Sequence, residues 1–188
     1  MSDFPTQGAW TEANYFAIDT NRLIELSDGF LEVLPRSTLF DQSIVDFLHS
    51  RLKEFLAQWG KGGRAFFAPV PIRLWPQKLR EPDVFYISKA NLGDLKKTPE
   101  KIDMAMEVVS EGDENRERDL TTKRSEYAKA RIPEYWIVDP QEKSITVLVL
   151  DGATYREHGV FGRGQTATSV LLPGFQISVD ECFGAGAI

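Results

Sequence analysis

At 188 residues, 42% of them hydrophobic and 27% charged, the chain is long enough for one well-cored globular domain and short for two. Its formal net charge of −6 argues against a generally basic nucleic-acid binder, without excluding a local basic patch. No apolar run approaches the ~20 residues a membrane span needs, the start MSDFPTQGAWTE has neither the basic nor the apolar region of a secretory signal, and the lone Cys182 fits a reducing cytoplasm.

Taken in order, residues 1–20 carry Trp10, Tyr15 and Phe16 without periodicity and read as an arm or short helix on the surface. Two strand-type runs, 22–26 and 30–34, are joined by Asp28-Gly29, a specific hairpin signal. From Phe40 to Trp59 the apolar residues Ile44, Leu48, Leu52, Phe55 and Trp59 recur at three- and four-residue spacing, which predicts an amphipathic helix ended by Gly60, Gly62 and Gly63. Asp41 lies in its first turn, where an acid is ordinarily favourable. His49 falls off the apolar stripe, and His49 and His158 form no metal-ligand spacing. Residues 65–74 read as one strand, made irregular by Pro69 and Pro71. Glu81-Pro82-Asp83 then leads into Val84–Ile87. An aspartate at a strand start is commonplace, but Asp83 enters a strand apolar on both sides. Residues 88–101 read as a polar loop or short helix.

The stretch Met104–Asp139 is the one around which the rest is organised. MAMEVV is strand-like and apolar on both faces, with Glu107 sharing a face with Ala105 and Val109, while Met104, Met106 and Val108 point the other way. A carboxylate in such a strand is costly unless paired, hydrogen-bonded or metal-bound. A polar loop, 110–118, precedes a helix from Asp119 to about Arg131, stopped by Pro133 and followed by the strand 134–138. Leu120, Lys123, Tyr127 and Ala130 form the helix's inward stripe, so Lys123 is a cation facing the strand that holds Glu107. A lysine that merely snorkels to water is the ordinary alternative, and a buried Glu107–Lys123 ion pair without any ligand is another. After Pro140 come a hairpin about Asp151-Gly152 and a last turn and strand within 170–183, which extend a sheet edge.

Asp83 and Glu107 entering from neighbouring strands would repel unless a cation sits between them, and Mg²⁺ or Mn²⁺ suits two carboxylates. Such an ion activates water and stabilises phosphoryl charge, with Lys123 holding the water or offsetting charge on the phosphate.

The segments IELSDGFLEVLP, EPDVFYIS, MAMEVVSEG and RDLTTKRSEYAKARIPEYWIVDP resemble the Uma2 family (DUF820), assigned to the PD-(D/E)XK nuclease superfamily. The resemblance covers roughly Arg22 to the C-terminal strand. It implies a single domain over 1–188, with an N-terminal arm (1–20) and a C-terminal hairpin extension (140–188). The fold it implies is α/β of the α+β kind: a restriction-endonuclease-like mixed central sheet flanked by helices. It also implies a metal-dependent DNA endonuclease. Asp83 and Glu107 would be acidic ligands, the carbonyl of Val108 a further ligand, and Lys123 the lysine moved from the strand onto the following helix. The chain departs from a strict (D/E)-x-K, which would put lysine where Val109 stands, and has Asp41 where many members have histidine. Asp119 matches a family acid, and reads equally well as a helix cap or a partner of Lys123. Tyr127, Glu134, Tyr135 and Trp136 also match and read as packing and orientation. A non-catalytic, dimeric DNA-binding protein with a vestigial site is the alternative. Exposed sheet edges make a homodimer plausible, since a two-strand cut needs two sites.

Overall fold

The hairpin forms where Asp-Gly demands it: β1 (Ile24–Ser27) and β2 (Phe30–Val33) pair antiparallel, with Asp28 at φ 49° and Gly29 at φ 91° in the left-handed region the two-residue turn requires. The structure, a computed structural model, describes residues 4–20 and 22–186. Residues 1–3 of the expected arm and 187–188 of the expected C-terminal extension lie outside that range. The rest of the arm contains α1 (Glu12–Phe16), capped by Thr11. Trp10 and Tyr15 are buried against Ile24, Leu26 and Leu79, so the arm is part of a small core of its own.

The amphipathic helix is α2 (Leu39–Trp59). Thr38 and Asp41 cap it reciprocally, each side chain accepting from the other's main-chain N–H. That exchange accounts for Asp41. The expected single strand over 65–74 is two strands in different sheets: β3 (Arg64–Phe67) and β4 (Ile72–Trp75). Pro69 and Pro71 interrupt the ladder between them, so the chain changes sheets there. β4 turns into β5 (Lys78–Arg80), and β2-β1-β5-β4 make a four-stranded antiparallel sheet.

The chain then enters the central sheet through β6 (Val84–Ile87) and β7 (Met104–Val108). Residues 88–101 contain turns and no helix. The 110–118 segment is not all loop: α3 (Asp113–Glu117) runs into a π-helical stretch (Arg118–Thr122) and then α4 (Lys123–Lys129). β8 (Glu134–Asp139) returns parallel to β7. β9 (Ser144–Asp151) and β10 (Thr154–Phe161) complete a six-stranded mixed sheet, ordered β10-β9-β8-β7-β6-β3, in which β7–β8 is the parallel pair.

β7 and β8 are buried throughout. Met104, Met106 and Val108 pack with Trp136 and Val138 against Ile44, Leu48 and Leu52 of α2. Ala105 and Val109 pack on the other face with Tyr135 and Ile137 against Tyr127 and Ala128 of α4. Helices therefore flank a mixed sheet, as the pattern implied. The C-terminal segment differs from expectation. β11 (Thr166–Thr168) and β12 (Gln176–Ser178) form a separate two-stranded sheet, and the chain ends in α5 (Val179–Gly184) rather than a strand. Val179, Cys182 and Phe183 join the α2-side core, which explains why the apolar spacing there is not that of a strand alone. Among the described residues, no helix is long and apolar enough to cross a membrane.

Candidate active site

Each candidate residue is delivered by a different element. Glu107 is near the end of β7, on the face covered by α4. Asp83 immediately precedes β6, whose Val84 pairs with Met106, so it arrives beside the end of β7 and its Oδ2 accepts the Val108 N–H at 2.8 Å. Lys123 opens α4 and is 1% exposed. Its ammonium lies 3.0 Å from Glu107 Oε2, 3.4 Å from Glu25 Oε1 and 3.7 Å from Asp119 Oδ1. One turn along α4, the Tyr127 hydroxyl donates to Glu107 Oε1 at 2.5 Å. The π-helical stretch, a feature common where helices serve a site, carries the buried Asp119 and Arg118, which donates to it at 3.0 Å.

Burial dominates the proton affinities of the carboxyls here, and neighbouring negative charges add to it. Burial raises the Asp83 carboxyl to about 6, against the pull of Lys123 and the Val108 N–H. Burial likewise pushes Glu81 up to about 7, only partly offset by a hydrogen bond from Tyr15. Glu107 is raised too: burial dominates, and the charges of Asp83, Asp119 and Glu25 add to it against Lys123. Burial alone would lower the Lys123 ammonium. Glu107, Glu25, Asp119 and Asp83 outweigh that and hold it well above the usual lysine range, so it stays a cation and cannot serve as a base near neutrality. Glu25 is shifted the other way. It is wholly buried, yet Lys123, Arg80 and the Glu81 N–H hold it below the usual carboxylate range.

Behind these residues a ladder of buried charges ties the small sheet to α4. Arg80 donates to Glu25 at 2.7 Å, to Glu32 at 2.6 Å and to Glu126 at 2.7 Å, and Lys78 reaches Glu126 at 2.8 Å. In front, Glu81, Asp83, Glu107, Arg118, Asp119 and Lys123 line a cavity of about 20 Å³, room for roughly one water. Leu23, Leu34, Pro35 and Ser37 also line it, and the same four residues line an adjoining depression of about 750 Å³ that carries Arg22 and Arg36.

The Uma2 family, described as "Putative restriction endonuclease", matches residues 12–180, most of the chain. The chain belongs to the Uma2 family. A crystal structure from Anabaena variabilis ATCC 29413, described as "a putative nuclease belonging to DUF820", has the same fold. Its TM-score is 0.74 at 14% identity, over 94% of this chain and 99% of that one. No curated protein matches.

The Uma2 match spans every residue of the cavity. Asp83, Glu107 and Lys123, anticipated from the sequence, come together there, and Val108 lines the same cavity with its N–H on Asp83. Asp41 does not take part, being committed to the α2 cap. His49 packs on Phe67 and His158 bonds Thr168, well apart in the fold. Glu25, Glu81 and Arg118 were missed. Among the described residues no three His, Cys, Asp or Glu side chains stand assembled as a metal-ligand group. The donor chemistry nevertheless suits a hard cation. Glu81, Asp83, Glu107 and Asp119 bring four carboxyl groups to the cavity, and Glu81 Oε2 is buried with no partner. Glu107 accepts one donor on each oxygen, and a carboxylate's roughly four lone-pair sites leave capacity beyond those two.

Proposed function

We propose that this Uma2 chain is a nuclease that hydrolyses phosphodiester bonds in DNA with Mg²⁺ or Mn²⁺. One observation carries the reading: Asp83, Glu107 and Lys123, from three separate elements, meet at one small cavity with a net excess of carboxylate. Asp83, Glu107 and the Val108 carbonyl would hold the ion, which when bound activates water and offsets charge on the phosphoryl oxygens. Lys123, kept protonated by its neighbours, donates hydrogen bonds to the attacking water or the phosphate and opposes the charge that builds up. Tyr127 fixes the rotation of Glu107. The substrate backbone approaches over the depression beside the cavity, where exposed Arg22 and Arg36 supply local positive charge on a chain that is acidic as a whole. A homodimer would bring two such sites together, one for each strand of a duplex.

The test is supercoiled plasmid with purified protein and Mg²⁺ or Mn²⁺, against EDTA and Glu107→Ala. Nicked and linear product that requires metal and falls by about 10² or more in the variant is expected. A second reading, a non-catalytic DNA-binding or accessory protein, is favoured by Val109 standing where a strand lysine would be and by the commitment of both Glu107 oxygens to protein donors. Folded protein that cuts none of several DNA forms moves the assignment there.

A further inference from the structure

Glu81 is separated from Asp83 only by Pro82, in the link that leaves β5 of the small sheet and enters β6 of the central one. That link is tightly fixed. The Glu81 N–H donates to Glu25 Oε1 at 2.9 Å, and Pro82 has a restricted φ and no N–H to give. The Glu81 side chain is 7% exposed and its Oε1 accepts the Tyr15 hydroxyl at 2.8 Å. Its Oε2 is buried and has no hydrogen-bond partner; among the described residues only Gln77 Oε1 shares that condition. Buried acceptors left without a donor are rare and point to something that completes them. The buried cations on adjoining elements do not. Lys123 is directed at Glu107, Glu25 and Asp119, and Arg80 at Glu25, Glu32 and Glu126. Yet Glu81 lines the same cavity as Asp83, Glu107 and Lys123.

We propose that Glu81 is a third carboxylate of the metal site, its Oε2 binding a divalent cation directly or through one of the cation's waters. The inference rests on the metal-dependent reading above and adds to it the donor that Asp83 and Glu107 alone leave short. Hard divalent cations take several oxygen ligands and keep part of their water shell. Asp83 gives one oxygen to the Val108 N–H, and Glu107 has a donor on each of its two. Glu81 brings an anionic oxygen that no protein group has claimed. Tyr15, from α1, holds the other oxygen, which makes the N-terminal arm a support of the site.

The experiment is Mn²⁺ binding, read as loss of the free-ion electron paramagnetic resonance signal, by the full chain and by Glu81→Gln and Asp83→Asn. Gln keeps the shape and still accepts the Tyr15 bond. Binding of Mn²⁺ by the unaltered chain, weakened about tenfold or more in Glu81→Gln and in Asp83→Asn, is the expected result. Equal affinity of Glu81→Gln and the unaltered chain, with Asp83→Asn weakened, overturns the role of Glu81 and leaves the metal site standing. No Mn²⁺ binding by the unaltered chain overturns the metal-dependent reading and this inference with it. If circular dichroism shows Glu81→Gln unfolded, Glu81→Asp, which keeps the charge with a shorter reach, takes its place under the same expectations.

Discussion

Two glutamates on the parallel pair β7 and β8 are equally buried and behave as opposites. Glu134, at the start of β8, faces the α2 side of the sheet. Its Oε1 accepts from Trp136 and Ser169 at 2.7 Å, and its Oε2 from the Val170 and Leu171 N–H groups at 2.8 Å. Four neutral donors satisfy it, and it pins the loop before β12 to the sheet. Glu107, on the other face, meets one phenol and one ammonium that three further acids surround. Burial of a carboxylate therefore says little by itself. What separates a structural anchor from a candidate for chemistry is whether its partners are neutral and complete, or charged and contested beside a cavity.

The sharpest way to break that contrast is to remove the contested cation. Lys123→Ala leaves Glu107, Glu25 and Asp119 facing one another, and breaking a buried pair costs about 3–5 kcal/mol. A fall in Tm on the order of 10 °C is expected, partly restored by millimolar Mg²⁺; a fall unaffected by metal would contradict a cation site there. Glu134→Ala should cost somewhat less, about 2–4 kcal/mol from stranded donors, and calorimetry should show no recovery with Mg²⁺. The remaining test is pH dependence. Asp83 is raised from an ordinary 3.8 to about 6 and Glu81 from 4.5 to about 7, so the folded chain holds protons there that the unfolded chain has released. Their contribution is full below the ordinary values and lost as pH rises through the folded ones. Metal-free Tm should therefore drop between about pH 5 and 8, and Glu107, which burial also raises, acts in the same sense. His49, which burial holds below 6.5, opposes this only at the acidic end. Glu81→Gln should flatten the slope; an unchanged slope would deny Glu81 its raised affinity.

The Glu107–Lys123 meeting was legible because both residues sit on periodic elements: alternation puts the glutamate on a named face, and a stripe at helical spacing puts the lysine opposite. That worked even though a π-helical stretch replaces the expected helix start, since the stripe residues Lys123 and Tyr127 lie beyond it. Glu25, Lys78, Arg80, Glu81 and Glu126 were not legible. β5 is three residues long, and Lys-Leu-Arg alternates like a strand with one solvated face. Lys78 and Arg80 are buried only because acids from distant segments, Glu25, Glu32 and Glu126, converge on them. Burial of that kind is decided by tertiary pairing, which no local pattern records. Glu126 lies off the apolar stripe, where a local pattern predicts a solvated side chain, and its partners Lys78 and Arg80 come from another element.

The seam between the two sheets has a kinetic consequence. Lys123 meets Glu25 across roughly a hundred residues of chain, and the Glu81 N–H meets Glu25 across more than fifty; such distant pairings come late, after the loop-closure entropy of the intervening chain has been overcome. The charge cluster is thus expected to form late as the polypeptide folds, which amide-exchange labelling during refolding would check. A nascent or partly unfolded chain lacks the assembled cleft, and any hydrolytic capacity is confined to molecules that have completed folding.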